Sequence, residues 1–293
     1  MASLKEIRKR ISSVKSTRQV TSAMKMVAAA RLRKAQDRIV KLRPYASKLQ
    51  ELLTGISLRI EESENEQMYG RVTDDEKVLL IVVTSNRGLC GSFNMNVIKE
   101  TQRIVEERYS SQYKNNRLWI MTIGKKAWDF FRRTDYQIYE DNSELFNDLT
   151  FDNTSLIAGK VMDAFIDQKF DRVEFVYNRF KNAATQLLSV ENFLPVEAPE
   201  QEEDLTIGEY IFEPSKEEII NELIPKTLKI QFYRTVLDSY VAEHGARMTA
   251  MHMATDNATE LIRDLNLEYN KARQASITNQ ILEVVNGAEA LSG

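Results

Sequence analysis

The segment Ser85-Asn86-Arg87-Gly88-Leu89-Cys90-Gly91-Ser92 gathers the residue types from which a reaction site could be built. It follows the apolar run Val78 to Val83 and precedes a stretch with helical spacing. Its glycines would therefore sit where a strand turns into a helix. Backbone N–H groups at such a turn can cradle a phosphate against the helix N-terminus, with Arg87 as counter-charge. The spacing is neither G-x-G-x-x-G nor G-x-x-x-x-G-K-[ST], and so partial a motif favours a tight strand-to-helix turn. Cys90 as a nucleophile would need a base, and no histidine falls within that domain. As the only cysteine it cannot close an internal disulfide, which fits a reducing compartment. His244 and His252, the only histidines, offer no metal cluster, and neither a zinc site nor a cofactor is expected. Asp135, Glu140, Asp141, Glu144 and Asp148 could suggest paired catalytic carboxylates, but their irregular loop spacing reads better as solvated surface.

These residues need elements to position them. With 43% hydrophobic and 28% charged residues, the chain is a folded globular or coiled-coil protein rather than a disordered one. Its longest apolar run is six residues, far below the roughly 20 that cross a bilayer. Ten glycines and five prolines are few for 293 residues, which favours long helices. The net charge of −3 hides an asymmetry: through Arg59 the balance is +12, leaving −15 for the remainder. A basic arm on an acidic body suggests nucleic acid, a targeting leader or an acidic protein partner. No nucleic-acid module follows the basic segment and no aromatics interleave with it, so no nucleic acid is expected. The amphipathic pattern runs past Leu49 without a break, which a cleavable leader would not require.

That pattern is a heptad series: Leu4, Ile7, Ile11, Val14, Arg18, Thr21, Lys25, Ala28, Leu32, Ala35, Ile39, Leu42, Ala46, Leu49, Leu53, Ile56. Only three of these are polar, as expected of a coiled-coil helix. Pro44 should kink it or mark a join. A second series runs Ile230, Tyr233, Leu237, Tyr240, His244, Arg247, Met251, Ala254, Ala258, Leu261, Leu265, Glu268, Ala272, Ala275, Asn279, Leu282. No proline follows Pro225, so one helix can continue to about Val285. Small residues at 242, 245, 246, 250 and 254 would admit a close neighbour. Arg18, Thr21 and Lys25 on one seam, and His244 with Arg247 on the other, either set register or turn outward to a partner, and composition favours neither.

Between the two series the period changes. Strands are expected at 77–84, 118–123, 136–139, 173–177 and 186–190, with helices near 95–109, 125–133 and 154–168, which implies a mostly parallel sheet. The expected fold class is α/β plus a long coiled coil: antiparallel N- and C-terminal helices with an inserted Rossmann-like domain. The divisions are 1–60 for the first helix, 61–76 for an acidic linker and 77–196 for the α/β domain. A second acidic linker at 197–207 and the last helix at 208–293 complete them.

Three stretches carry a family resemblance. Leu4-Lys5-Glu6-Ile7-Arg8-Lys9-Arg10-Ile11 with Thr21-Ser22-Ala23-Met24-Lys25-Met26-Val27-Ala28 resembles the start of ATP synthase gamma subunits. Ser85 to Gly91 resembles their central loop. Arg247-Met248-Thr249-Ala250-Met251, Ala254 to Ala258 and Asn270 to Thr278 resemble their tail, the most specific of the three. The resemblance spans the whole chain and starts at residue 3 or 4, so no leader is expected. It implies a non-catalytic rotor shaft of an F-type ATP synthase, inside a ring of three alpha and three beta subunits. Its foot would rest on epsilon and the c-ring, and membrane association would come only through the complex. It further implies contacts with beta at Met24, Lys25, Arg273, Gln274, Thr278 and Glu283. Chloroplast members carry a cysteine pair as a redox switch, which a chain with Cys90 alone cannot have. The resemblance therefore points to a bacterial enzyme at the cytoplasmic face of the plasma membrane. The alternative reading is a Rossmann-like nucleotide-binding enzyme with helical extensions, in which the isolated chain would bind nucleotide.

Overall fold

A computed structural model describes residues 4–57, 69–71, 76–196 and 216–292. The acidic segments 61–66 and 197–204, and the expected boundaries near 60 and 208, lie outside the described residues. The elements in chain order are α1 (Leu4–Ser57), β1 (Val78–Val83), α2 (Phe93–Glu107), α3 (Ser110–Lys114), β2 (Leu118–Ile123) and α4 (Lys125–Phe131). They continue with β3 (Gln137–Asp141), a 3₁₀ turn (Ser143–Asn147), α5 (Phe151–Ile166), β4 (Arg172–Phe180), β5 (Gln186–Leu194) and α6 (Lys216–Ser292). All five expected strands form. The short α3 and the 3₁₀ turn carry no periodicity long enough to be read in advance.

The chain divides into two units, Ala29–Arg247 and the paired segments Met1–Ala28 with Met248–Gly293. In the first, the sheet order is β3-β2-β1-β4-β5. β1 pairs parallel with β2 and β4, β2 pairs parallel with β3, and β5 returns antiparallel to β4. Every residue of β1 is fully buried, the reason its sequence is continuous rather than alternating. Leu79, Ile81 and Val83 join Val161, Phe165 and Phe175, together with Leu228, Phe232 and Leu237 of α6. Val78, Leu80 and Val82 face the other way, onto Val97, Ile98 and Ile104 of α2 and Phe131 of α4. Helices thus cover both faces, as the alternation of strands and helices requires.

Pro44 does not end α1 and Pro225 does not begin α6, since both helices run through their prolines. A proline removes one N–H and costs about 3 kcal/mol inside a helix. Leu42 packs on the core before Pro44 and Leu49 is buried after it, and Ile224 and Leu228 are buried around Pro225. Docking of both flanks offsets the local penalty.

In the second unit, α1 and α6 pair antiparallel. Arg8 donates to the Tyr269 hydroxyl at 2.7 Å, Thr255 donates to the Thr21 hydroxyl at 2.9 Å, and Lys25 Nζ lies 3.3 Å from His252 Nδ1. Ile7 and Ile11 close on Leu265, flanked by Val14, Tyr269 and Ala272. Along α1 every described position of the expected heptad series is buried or half-buried, including Arg18, Thr21 and Lys25. Those polar residues therefore remain on the seam. Along α6 the expected series holds to Ala258, after which every other position shifts by one: Ile262, Tyr269 and Ser276 are covered in place of Leu261, Glu268 and Ala275, while Leu265 and Ala272 keep to the series. Met24 and Lys25 are half-buried, and Arg273, Gln274, Thr278 and Glu283 are exposed.

Candidate functional site

The loop after β1 is where an α/β sheet of this order would hold a nucleotide. β1 and β4 are neighbours whose following connections leave in opposite directions, and their carboxyl ends frame the usual ligand crevice. Here the chain fills that crevice itself. Ala242 and Ala246 of α6 pack with Cys90, Phe93 and Phe180. A Cβ at Gly245 would stand 3.3 Å from both Ala183 Cα and Phe180 Cε2, so only a small residue allows this approach.

The polarity of the loop is also wrong for a phosphate. Arg247 Nη2 donates to the Arg87 carbonyl at 2.8 Å, and its Nε and Nη2 both reach the Gly88 carbonyl at 3.4 Å. The loop offers carbonyl oxygens to a cation of its own chain, whereas a phosphate cradle presents N–H groups. Asn94 holds the turn from inside: its Oδ1 accepts from Ser85 N at 2.9 Å and its Nδ2 donates to Ser85 Oγ at 2.9 Å and Cys90 Sγ at 3.2 Å. Ser85 Oγ donates to the Arg87 carbonyl at 2.6 Å. Leu89 and Gly91 both take φ of 63°, completing the tight turn. Cys90 is 2% exposed, and burial pushes its thiol up. It is a protonated core residue, not a nucleophile.

Tertiary packing brings one histidine near this region that sequence position had excluded. His244 Nδ1 lies 3.4 Å from Arg247 Nη1, and its ring meets Tyr240 edge-on at 4.4 Å. Burial, and then the positive charges of Arg247 and Arg31, push its pKa down to about 3. It is therefore neutral, and none of the described hydrogen bonds joins it to Cys90. Glu243 pairs with Arg247 one helical turn away, and burial pushes its carboxyl up against the opposing pull of that guanidinium.

Two of the carboxylates after β2 hold structure and three face solvent. Glu140 and Asp141 end β3 rather than lying in a loop. Glu140 pairs with Lys160 at 2.7 Å, and Asp141 accepts from Thr122 Oγ1 at 3.0 Å and Ser143 N at 3.1 Å. Asp135, Glu144 and Asp148 are exposed, as a solvated surface requires. Among the described residues no group of three or more His, Cys, Asp and Glu could hold a metal ion. No helix there is long and apolar enough to cross a membrane.

The positions that the resemblance assigns to partner contact fall in two patches rather than one. Antiparallel pairing sets Lys25 against His252, whereas Arg273 comes 21 residues later on α6, about 30 Å along its axis at 1.5 Å per residue. Thr278 donates to the Gln274 carbonyl at 3.0 Å, leaving the exposed side chains of Arg273, Gln274 and Glu283 free of any seam. The clasp of Arg247 on residues 87–88 was not foreseen. The signal available was that His244 and Arg247 interrupt an apolar series, but nothing local names a partner 160 residues away.

A ligand crevice sealed by its own helix, together with a paired-helix unit bearing exposed polar side chains, fits a structural shaft component. The model of the ATP synthase family matches residues 3–291. The ATP synthase gamma chain of Christiangramia forsetii is 51% identical over 293 residues, and that of Flavobacterium johnsoniae 52%, each match covering 100% of both chains. The gamma chain of Cytophaga hutchinsonii is 48% identical over 295 residues. A chain in the Euglena gracilis mitochondrial ATP synthase (OSCP/F1/c-ring) superposes with a TM-score of 0.66 at 23% identity, covering 98% of this chain and 94% of that one, a likeness of fold. The chain belongs to the ATP synthase family, among its gamma chains. It is the non-catalytic central rotor subunit of an F-type ATP synthase, coupling rotation to ATP synthesis or hydrolysis in the complex.

Proposed function

We propose that this rotor turns inside a ring of three alpha and three beta subunits and stands on epsilon and the c-ring. The complex would lie at the cytoplasmic face of a bacterial plasma membrane. Met24, Lys25, Arg273, Gln274, Thr278 and Glu283 are the contacts with beta. The observation that carries this reading is the end of α6. Pairing of Arg8 with Tyr269 and of Thr21 with Thr255 brings Leu4 opposite about residue 273. The following turns, about 30 Å of helix, expose Ile277, Ile281, Leu282, Val284 and Val285, each between 47% and 72% exposed. An apolar tip of this size calls for a protein sleeve. The basic charge of α1 suits acidic surfaces on the same sleeve.

An asymmetric rotor acts by presenting a different face to each of the three beta subunits. Rotation changes which beta conformation has the more favourable contact free energy, and nucleotide affinity changes with it. Co-expression with alpha and beta subunits, size-exclusion chromatography and an ATPase assay test the arrangement. The expected result is a complex with one copy of this chain per three alpha and three beta. A chain that elutes alone and binds nucleotide would overturn it.

A further inference from the structure

α6 meets the sheet through two kinds of surface. At Phe232 its side chains interlock with large rings, with centroids 4.9 Å from Phe175 and 5.5 Å from Phe193. From Ala242 to Ala246 the contact face is small: Ala242, Gly245 and Ala246 lie against Cys90, Phe93 and Phe180. Such a face permits close approach but presents no knobs, so it resists rotation of the helix about its own axis only weakly. The directional contacts of that stretch are polar. The Arg247 guanidinium reaches two successive carbonyls, Arg87 O and Gly88 O, while Glu243 holds its Nη1 from one turn earlier. The side chains of Arg247 and Glu243 are only 10% and 8% exposed. A buried ion pair of this kind is a poor source of stability, and its best-attested use is to specify one geometry among near-equivalents. The loop it grips is not slack, because Ser85 Oγ also donates to the Arg87 carbonyl and Asn94 in turn holds Ser85. Arg247 is also the last residue of α6 within this unit.

We propose that Arg247, seated by Glu243, is the positioning residue that fixes the rotational angle of α6 against the α/β domain. Twist applied to the helix is thereby transferred to the sheet instead of being absorbed by slippage across the Ala242–Ala246 face. The inference rests on the rotor function. It names one element of the shaft's torsional stiffness, separate from the beta contacts.

The test uses the assembled complex carrying wild-type chain, Arg247→Ala, Arg247→Lys or Glu243→Gln. ATP hydrolysis, ions translocated per ATP and the angular spread of a probe fixed to the α/β domain are measured in each. In Arg247→Ala, hydrolysis persists, translocation per ATP falls, and the angular distribution broadens. Arg247→Lys recovers part of the loss, since an ammonium can reach one carbonyl but cannot fork two. Should Arg247→Ala fail to assemble, Glu243→Gln decides: a broadened distribution supports the inference and an unchanged one overturns it. A proportional fall in hydrolysis and translocation, with unchanged spread, would mark Arg247 as merely structural and overturns it too. Failure of the wild-type complex to assemble would remove the ring arrangement and this inference together, a result distinct from a rotating complex whose Arg247→Ala shaft stays stiff.

Discussion

Ile262→Ala and Leu261→Ala, made separately, measure where the seam of the paired-helix unit runs. Three residues after Ala258 stands Leu261 and four after it stands Ile262, both apolar. Ile262 is 8% exposed and leads to Leu265 at 3%, whereas Leu261 is 39% exposed. Ile262→Ala removes three carbons from a covered position. The cost should be about 2–3 kcal/mol, the low part of the range for such truncations, because a two-helix seam collapses more readily than a closed core. Leu261→Ala removes the same number of carbons from the flank and introduces a slightly better helix former, so about 0.5 kcal/mol or less is expected. A gap of about 2 kcal/mol separates the two melting temperatures by several degrees. The assay is a thermal melt and a urea titration of the full chain followed by helical circular dichroism. If Leu261→Ala costs as much as Ile262→Ala or more, the shift from Leu261 to Ile262 is wrong and the even heptad series stands.

Three further outcomes follow from single residues. Gly124 has φ of 109°, and an added Cβ would stand 2.0 Å from the Thr84 carbonyl oxygen, so Gly124→Ala should cost more than about 4 kcal/mol. Soluble yield and denaturant midpoint read this, and a wild-type midpoint contradicts it. Burial, against the pull of the Phe180 N–H and Arg234, pushes the half-buried Asp238 carboxyl up to about 6. The folded state then binds this proton more tightly than the unfolded chain, where aspartate titrates near about 4. The stability it contributes is present below about pH 4 and is lost as pH rises to about 6. Asp238→Asn, which keeps an acceptor for the Phe180 N–H, should exceed wild type by up to about 2 kcal/mol at pH 7 after allowance for solvent screening. The gap should close toward pH 4, and a gap that widens in acid reverses the sign of the argument. His244, pushed down to about 3, acts oppositely over the same range in both proteins and cancels in the difference. Arg273→Ala should weaken turnover or coupling in the assembled complex while leaving the melt of the isolated chain unchanged, because Arg273 is exposed. Wild-type hydrolysis and ion pumping in that variant would remove Arg273 from the beta contacts.

Much of the architecture was legible because its signals are local and periodic. β1 reads as a strand buried on both faces from six successive apolar residues, and it is buried at every one of them. The α1 heptad holds through Arg18, Thr21 and Lys25 because a helix keeps its angular spacing whatever side chains it carries. The loop at 85–92 reads as a tight turn from its glycines and its failure to match a phosphate motif. Its occupation by Arg247 does not, because no composition or spacing connects residues 88 and 247. The exposed end of α6 was legible only in part, since apolar residues near 281–285 read equally well as a continued seam.

By itself the sequence determined the order of elements, the two long helices, the strands and the family, since each is encoded in short-range periodicity or in runs of successive residues. The tertiary structure decided three things. It chose Ile262 over Leu261, because 3.6 residues per turn leaves either side chain free to face a partner until that partner is present. It carried both helices through Pro44 and Pro225, because docking of the flanks outweighs one lost hydrogen bond. It closed the nucleotide crevice with Ala242, Gly245 and Ala246, because only the packed chain brings that small face against Cys90 and Phe180.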